Sequence, residues 1–431
     1  MASQAFGNPN PWSEPAWYNA LASPYYNDSH RALRKYVRDY IQKYVEPHAE
    51  EWEHEGRVPK EEIIRCARAG LAFQDMPAKY RPGVGLPCDI PEHEHAASKE
   101  WDIFHTLVLN YEMGEIQGGV RGAVTGSSVI GAPPIVHYGT EEQKSKWLPG
   151  IFTGEASFCL GATEPTGGSD LANLRTTAQK TSDGKFYFVN GHKKWITGAM
   201  TSTHMTTAVR TGGPGAAGVS VLVIPLDSKG ISVRKIQNSG NNASNASWVT
   251  LENVKVPAEN LIGVENQGFK TLMKNFNRER LVIAIGMNKA ARICLADALQ
   301  YAHDRKTFNQ PLIANQVIRQ KFATMARYIE SHWAWIEQLA YHMKVTGQDE
   351  DLAGRLALAK VHGGRLLELA NREAQQIFGG AGYQKGGVGG RVEQISRDLR
   401  VMVVGGGSEE IIGDLAVRQE LALAKKRGSN L

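Results

Sequence analysis

Three stretches of the chain bring together groups able to do chemistry. In Phe158 to Asp170, FCLGATEPTGGSD, the amides freed by Gly167 and Gly168 lie beside the hydroxyls of Thr163 and Ser169. Glycine lets a backbone come close to a polar cofactor where a Cβ would block it; the plainer alternative is a loop joining helix to strand. Lys193 to Thr197, KKWIT, ends an apolar run and places an indole near a hydroxyl. That pairing suits a flat heterocycle, and equally a buried strand tryptophan. Val403 to Ile411, VVGGGSEEI, sets three consecutive glycines before a hydroxyl and two carboxylates. It is either a helix stop or part of a site whose working side chain is missing.

Other patterns carry less. Gly213, Gly215 and Gly218 form a GxGxxG, but the chain runs on into VSVLVIP, a strand, where a dinucleotide fingerprint needs a helix. It reads as a hairpin loop. The 13 histidines show no HExxH or paired spacing and the cysteines, Cys66, Cys88, Cys159 and Cys294, no CxxC, so no metal site is expected. The thiols read as free in a reducing compartment, cytoplasmic or peroxisomal. The C-terminal Ser429-Asn430-Leu431 is a weak relative of the peroxisomal Ser-Lys-Leu address. The sequons at Asn242 and Asn245 then have no role.

A net charge of +5, spread along 431 residues without a basic block, argues against a nucleic-acid partner. No apolar run is long enough for a membrane span, and the N-terminus lacks a basic apolar leader.

The elements that must position these groups follow from periodicity. Residues 28 to 72 and the segments FHTLVLNYEMGEI and TEEQKSKWLPGIF have apolar residues at helical spacing, with Thr140 placed to cap and Glu142 in the first turn. Between them, Pro77 to Ser98 is aperiodic and reads as a long loop. From about Ser157 short alternating runs predict strands: KFYFVNGHKKWIT, SVLVIPLD, GISVRKI and SWVTLENVKVP. Asn190-Gly191 gives the strongest hairpin signal, since a type I′ turn needs positive φ at both central residues. After Gly268 four long amphipathic helices predict a bundle. The fold class is therefore α+β, with an N-terminal helical domain (1–156), a middle β-barrel-like domain (157–268) and a C-terminal four-helix bundle (269–431).

TEPTGGSD, KKWIT, LENVKVPAENLIGVENQGF, RKTFNQPLIANQ, QQIFGGAGY and RDLRVMVVGGGSEEI occur in the order and at about the spacing of the acyl-CoA dehydrogenase family, which the chain resembles from about His30 to Arg418. The resemblance implies bound FAD. Leu160, Ala162, Thr163 and Ser169 would line flavin and pyrophosphate, Trp195 would flank the ring and Thr197 would bond N5. Ser408 and Glu410 match further FAD contacts. Arg305, Thr307, Phe308, Gln316, Gln376, Gly379 and Gly380 match positions that hold a neighbouring subunit's FAD, which implies a homo-oligomer, a tetramer in most of the family. Asn277, Arg280, Ser169 and Gly407 match substrate-side positions.

The family's chemistry removes an α proton from a thioester while hydride leaves the β carbon, so a base is required. In many members it is a carboxylate at the position that is Gly406 here. In members resembling isovaleryl-CoA and long-chain acyl-CoA dehydrogenases it lies on a helix with an "ER" pair, which here is FNRERLVIA with Glu279. Glu279 is thus the expected base, and the Gly406 N–H a donor to the enolate oxygen. The alternative for Glu279 alone is a first-turn glutamate favoured by the helix dipole or a surface ion pair.

The expected function is dehydrogenation of an acyl-CoA in fatty or branched acyl metabolism, with an electron-transferring flavoprotein as acceptor. The runner-up is a flavin oxidase or monooxygenase of the same fold using O2 on a non-CoA substrate. A non-catalytic FAD-binding relative is the third reading, and the charge distribution disfavours it.

Overall fold

The structure, a computed structural model, describes residues 5–73, 76–83, 85–89 and 100–429. The latter part of the long loop and the last two residues of Ser429-Asn430-Leu431 lie outside them. Among the described residues the longer helices are α1 (Asp28–Tyr44), α2 (Ala49–Glu55), α3 (Lys60–Arg68), α4 (Ile103–Met113), α5 (Glu141–Thr153), α6 (Gly268–Asp304), α7 (Gln316–Thr346), α8 (Ala353–Phe378), α9 (Gly390–Val404) and α10 (Glu409–Lys426). Helix α9 is an addition to the four long C-terminal helices read from periodicity. No helix among the described residues is long and apolar enough to cross a membrane.

The chain divides into two compact units. One holds Met1–Lys43, Asp102–Gln117 and Asn277–Leu431, and the other Tyr44–Trp101 and Gly118–Phe276.

In the first unit α1 buries His30, Leu33, Arg34, Val37, Arg38 and Ile41, the stripe that helical periodicity requires. The core of this unit packs Met287, Ile293, Phe322, Ile329, Leu367, Phe378 and Ile395. The segment before α1 is fastened by Glu14, whose carboxylate meets Arg38 at 3.1 Å and the Tyr111 hydroxyl at 3.1 Å.

Asp102 starts α4. Its carboxylate accepts the Phe104 N–H at 2.8 Å and is flanked by His30 Nε2 at 3.0 Å and Lys344 Nζ at 2.6 Å. His30, Asp102 and His105 could gather round one ion by distance. However, each ring's Nδ1 accepts a backbone N–H, from Asn27 and Asp102 respectively, and an ammonium already faces the carboxylate. The cluster fixes a helix start. Burial alone would raise the Asp102 carboxyl, but its close contacts with His105, His30 and Lys344 outweigh it and hold it well below the usual range. A depressed carboxyl contributes stability above its unfolded value of about 3.9 and loses it as pH falls further. Asp102→Ala is therefore expected to cost about 1–2 kcal/mol at pH 7 in urea denaturation. That cost should shrink as the pH is lowered below about 4.

The second unit is built on a sheet. Its strands are β1 (Phe158–Gly161), β2 (Thr177–Lys180), β3 (Phe186–Ile196), β4 (His204–Arg210), β5 (Val219–Pro225), β6 (Ile231–Lys235), β7 (Ser247–Pro257) and β8 (Leu261–Ile262). The order is β6-β7-β3-β2-β4-β5-β8, with β1 parallel to β4. Strand β4 runs antiparallel to β5, so the GxGxxG between them is the expected loop. Thr140 caps α5 as read, accepting the Gln143 N–H at 3.2 Å in a reciprocal capping box.

The hairpin expected at Asn190-Gly191 is not there. Strand β3 runs straight through both residues, and its register against β7 shifts between Val189 and Gly191, a β-bulge. A Cβ at Gly191 would lie 2.6 Å from Thr176 Oγ1, and Asn190 Oδ1 accepts the Asn253 N–H at 2.7 Å. The glycine thus serves close approach and the asparagine a cross-strand bond. In the first unit, Phe308 and Asn309, at φ 51° and 61°, join the short antiparallel strands β9 (Lys306–Thr307) and β10 (Gln310–Pro311). A bulky residue at positive φ is strained, which points to a role for its side chain.

Candidate active site

In the sheet unit, the loop after β1 is shaped from beneath. Glu164 is buried; its carboxylate accepts the N–H groups of Arg175 at 2.6 Å and Thr176 at 2.9 Å and the Lys193 ammonium at 2.9 Å. Lys193 Nζ also reaches the Ala162 carbonyl at 3.3 Å. Glu164 and Gly167 exchange backbone bonds of 3.1 and 3.2 Å, and the Lys194 N–H donates to the Thr163 carbonyl at 2.9 Å. Burial would raise the Glu164 carboxyl, but the charge and hydrogen bond of Lys193 hold it low. Burial pushes Lys193 down to about 8, with Glu164 opposing, so the pair is ionised at neutral pH.

Directly after this anchor the β3 register shifts between Lys193 and Ile196, and Trp195 sits there at φ 64° with half its surface exposed. The bulge turns the indole out of the sheet. The hydroxyls of Thr163, Ser169 and Thr197 have no protein partner among the described residues. An outward indole with three uncommitted hydroxyls on an anchored loop fits a flat polar cofactor. Leu160 is half-buried, and the Ala162 side chain belongs to the core.

In the helical unit Glu279 lies about three turns into α6, so it is not the first-turn residue of the alternative reading. It is half-buried, and the protein around it pushes its carboxyl up to about 8, with the charge of Arg280 pulling the other way. Arg280 is buried and its Nε donates to the Gly406 carbonyl at 3.1 Å. The residue that follows the expected base in the chain is therefore fastened to the glycine turn.

VVGGGSEEI proves to be a turn between helices. Helix α9 ends at Val404, where the Gly405 N–H donates to Val401 at 2.8 Å, and α10 begins after Ser408. Gly406 has φ +68°, and a Cβ there would stand 3.0 Å from Ile283 Cδ1. A carboxylate at this position would need both a left-handed backbone and the space Ile283 fills. Asn277 is buried, Gly407 and Ser408 are half-buried, and Glu410 is exposed.

The remaining expected residues gather at exposed positions of this unit. Arg305, Thr307 and Phe308 lie on or beside the β9–β10 hairpin, Phe308 being 95% exposed, and Gln316 opens α7. Gln376 is exposed near the end of α8, and Gly379 and Gly380 follow it into open space. The Tyr301 and Phe378 rings, 4.6 Å apart, tie the end of α6 to the end of α8.

Glu164 and Lys360 were not foreseen as site-shaping residues. Lys360 had a visible signal, since it falls on the apolar face of α8 in phase with Leu356, Ala357, Gly363 and Gly364.

Helical N- and C-terminal regions with a middle sheet, an anchored loop and exposed strand-end indole in one unit, and a half-buried carboxylate with raised pKa in the other, are features that fit a flavin-dependent oxidoreductase. Models of the acyl-CoA dehydrogenase N-terminal, middle and C-terminal domains match residues 27–155, 159–254 and 266–421. The chain belongs to the acyl-CoA dehydrogenase family, whose members depend on FAD. An acyl-CoA dehydrogenase of Alternaria alternata is 42% identical over 97% of this chain and 97% of its own length. One from Emericella nidulans is 39% identical over 98% and 97%. Among solved structures, a probable acyl-CoA dehydrogenase of Mycobacterium abscessus shares 31% identity, covers 93% of this chain and 99% of its own, and has a TM-score of 0.82. An acyl-CoA dehydrogenase of Bacillus anthracis complexed with FAD has 25% identity and a TM-score of 0.82, over 94% of this chain and 68% of that one.

Proposed function

We propose that this chain carries out α,β-dehydrogenation of an acyl-CoA thioester with Glu279 as the base that takes the α proton. The observation that carries the reading is the Glu279 carboxyl raised to about 8, one residue from an arginine fastened to the Gly406 turn. A base poised near the working pH, with an oxyanion donor close by in the chain's own framework, is what proton abstraction next to a thioester needs. Bound FAD supplies the acceptor for the β hydride.

Leu160, Ala162, Thr163, Ser169, Trp195, Thr197, Ser408 and Glu410 hold the cofactor, and the Gly406 N–H faces the thioester oxygen. Asn277, Arg280, Ser169 and Gly407 bind on the substrate side. Exposed Phe308, with Arg305, Thr307, Gln316, Gln376, Gly379 and Gly380, reaches the FAD of another copy in a homotetramer. An electron-transferring flavoprotein takes the electrons.

The test is anaerobic addition of straight, branched and aromatic acyl-CoAs to the FAD-loaded protein. At least one should bleach the flavin stoichiometrically, and the pattern across the panel defines the acyl pocket. Bleaching by none of them overturns the reading. Slow reoxidation in air and rapid reoxidation by an electron-transferring flavoprotein are expected; the reverse order identifies an oxidase.

A further inference from the structure

The Gly405–Gly407 turn is made of three residues with no side chain to hold it, and glycine backbone is the loosest there is. Its conformation is nevertheless bracketed on both sides. The Gly405 N–H is taken by Val401 at 2.8 Å, and the Gly406 carbonyl by Arg280 Nε at 3.1 Å. Lys360, 1% exposed on α8, places its ammonium between the carbonyls of Val403 and Gly407, the latter at 2.9 Å. The peptide unit left between these fixed points is the one that carries the Gly406 N–H, and that N–H has no protein partner among the described residues.

We propose that Lys360 is a positioning residue for the dehydrogenation: by clamping the carbonyls of Val403 and Gly407 it fixes the direction of the Gly406 N–H. This rests on the proposed function, in which Glu279 takes the α proton of an acyl-CoA while the Gly406 N–H faces the thioester oxygen. Arg280 holds the middle of the turn and Lys360 its two ends, so the donor is set by cations rather than by side chains of its own. An oxyanion donor acts only when its N–H is already aimed at the place where charge develops. A lysine in the neighbouring helix supplies that aim without entering the site. Charge-assisted bonds to two carbonyls also hold more firmly than neutral ones.

The test compares FAD-loaded Lys360→Met, which keeps the stem and loses the donor, with Lys360→Gln, which keeps one amide able to reach one carbonyl. Two readouts are taken: the limiting rate of anaerobic bleaching, and the long-wavelength band formed with a 3-thia acyl-CoA. That analogue can lose its α proton but has no β hydride to give. For Lys360→Met the bleaching rate should fall about tenfold to a hundredfold, as a small misplacement of a catalytic group predicts. The 3-thia band should weaken in parallel, with the acyl-CoA dissociation constant within about twofold, the pattern of an interaction made only in the transition state. Lys360→Gln should lie between. Wild-type rate and band in either variant that retains FAD overturn the proposal, and so does loss of FAD from both, which would assign the lysine to the fold. Glu279→Gln run alongside separates the two claims. If it still bleaches and forms the band, the underlying reading fails. If it is silent while Lys360→Met is unaffected, only the clamp fails.

Discussion

Glu279→Gln is expected to slow anaerobic flavin bleaching by an acyl-CoA about a thousandfold or more, with FAD content and assembly unchanged. The amide has nearly the shape of the acid and cannot accept a proton. The pH profile should carry the signature of the group. Burial pushes the Glu279 carboxyl up to about 8, with Arg280 opposing, and only the carboxylate is a base. In the wild type kcat/KM should therefore rise as the pH approaches about 8, a rise that the variant's residual rate lacks.

Stability should move the opposite way. A carboxyl raised in the folded state contributes stability that is complete below its unfolded value of about 4.3. That stability is lost as pH rises through about 8. The glutamine is spared this loss, so its thermal midpoint should match the wild type at pH 4 and exceed it at pH 9. A residue that lowers stability to gain reactivity is the mark of a functional group. If the variant is instead less stable at pH 9 and bleaches normally, Glu279 is a structural partner of Arg280 and the base lies elsewhere.

How far this was legible depends on which physical range each feature lives in. The amphipathic stripes of α1, α7 and α8 and the alternation in β6 and β7 are local, and they were readable from spacing. Helix α9 was not, because its buried positions include Glu393 and Asp398 among Val392, Ile395 and Val403, so the stripe looks broken. Those acids are answered by Arg397 and Gln394 one turn away. Asn190-Gly191 carried a true turn propensity that the sheet overrode, using the missing Cβ for a strand crossing close to Thr176.

Gly406 was legible as an empty position only against a family pattern; its left-handed backbone, with the Ile283 methyl close by, is what disfavours a side chain there. The polar string around Glu279 gives no local hint of burial. That burial comes from tertiary packing, and with it the raised pKa. Helical period could have flagged Lys360 as a charge on an apolar face, but not that it grips the turn that follows α9.

The second large effect is expected at Lys193. Its ammonium and the Glu164 carboxylate are 2.9 Å apart, with side chains 0% and 3% exposed. Lys193→Met leaves a buried carboxylate without its cation, which costs about 3–5 kcal/mol in comparable sites. The loss should be visible as a lower urea midpoint. It should also be local in its consequences, because the same lysine holds the Ala162 carbonyl and precedes the bulge that turns out Trp195. FAD content should fall and Trp195 fluorescence should change together, even in the folded fraction.

Glu164→Gln with Lys193→Met distinguishes a charge effect from a packing effect. The glutamine oxygen can still accept from Arg175 or Thr176, and no net charge remains buried. The double variant should therefore be at least about 1 kcal/mol more stable than Lys193→Met alone, a coupling of the size found for residues in direct contact. Simple additivity would show that Lys193 acts through the packing of its stem. The flavin loop would then owe its shape to the backbone bonds that Glu164 accepts from Arg175 and Thr176.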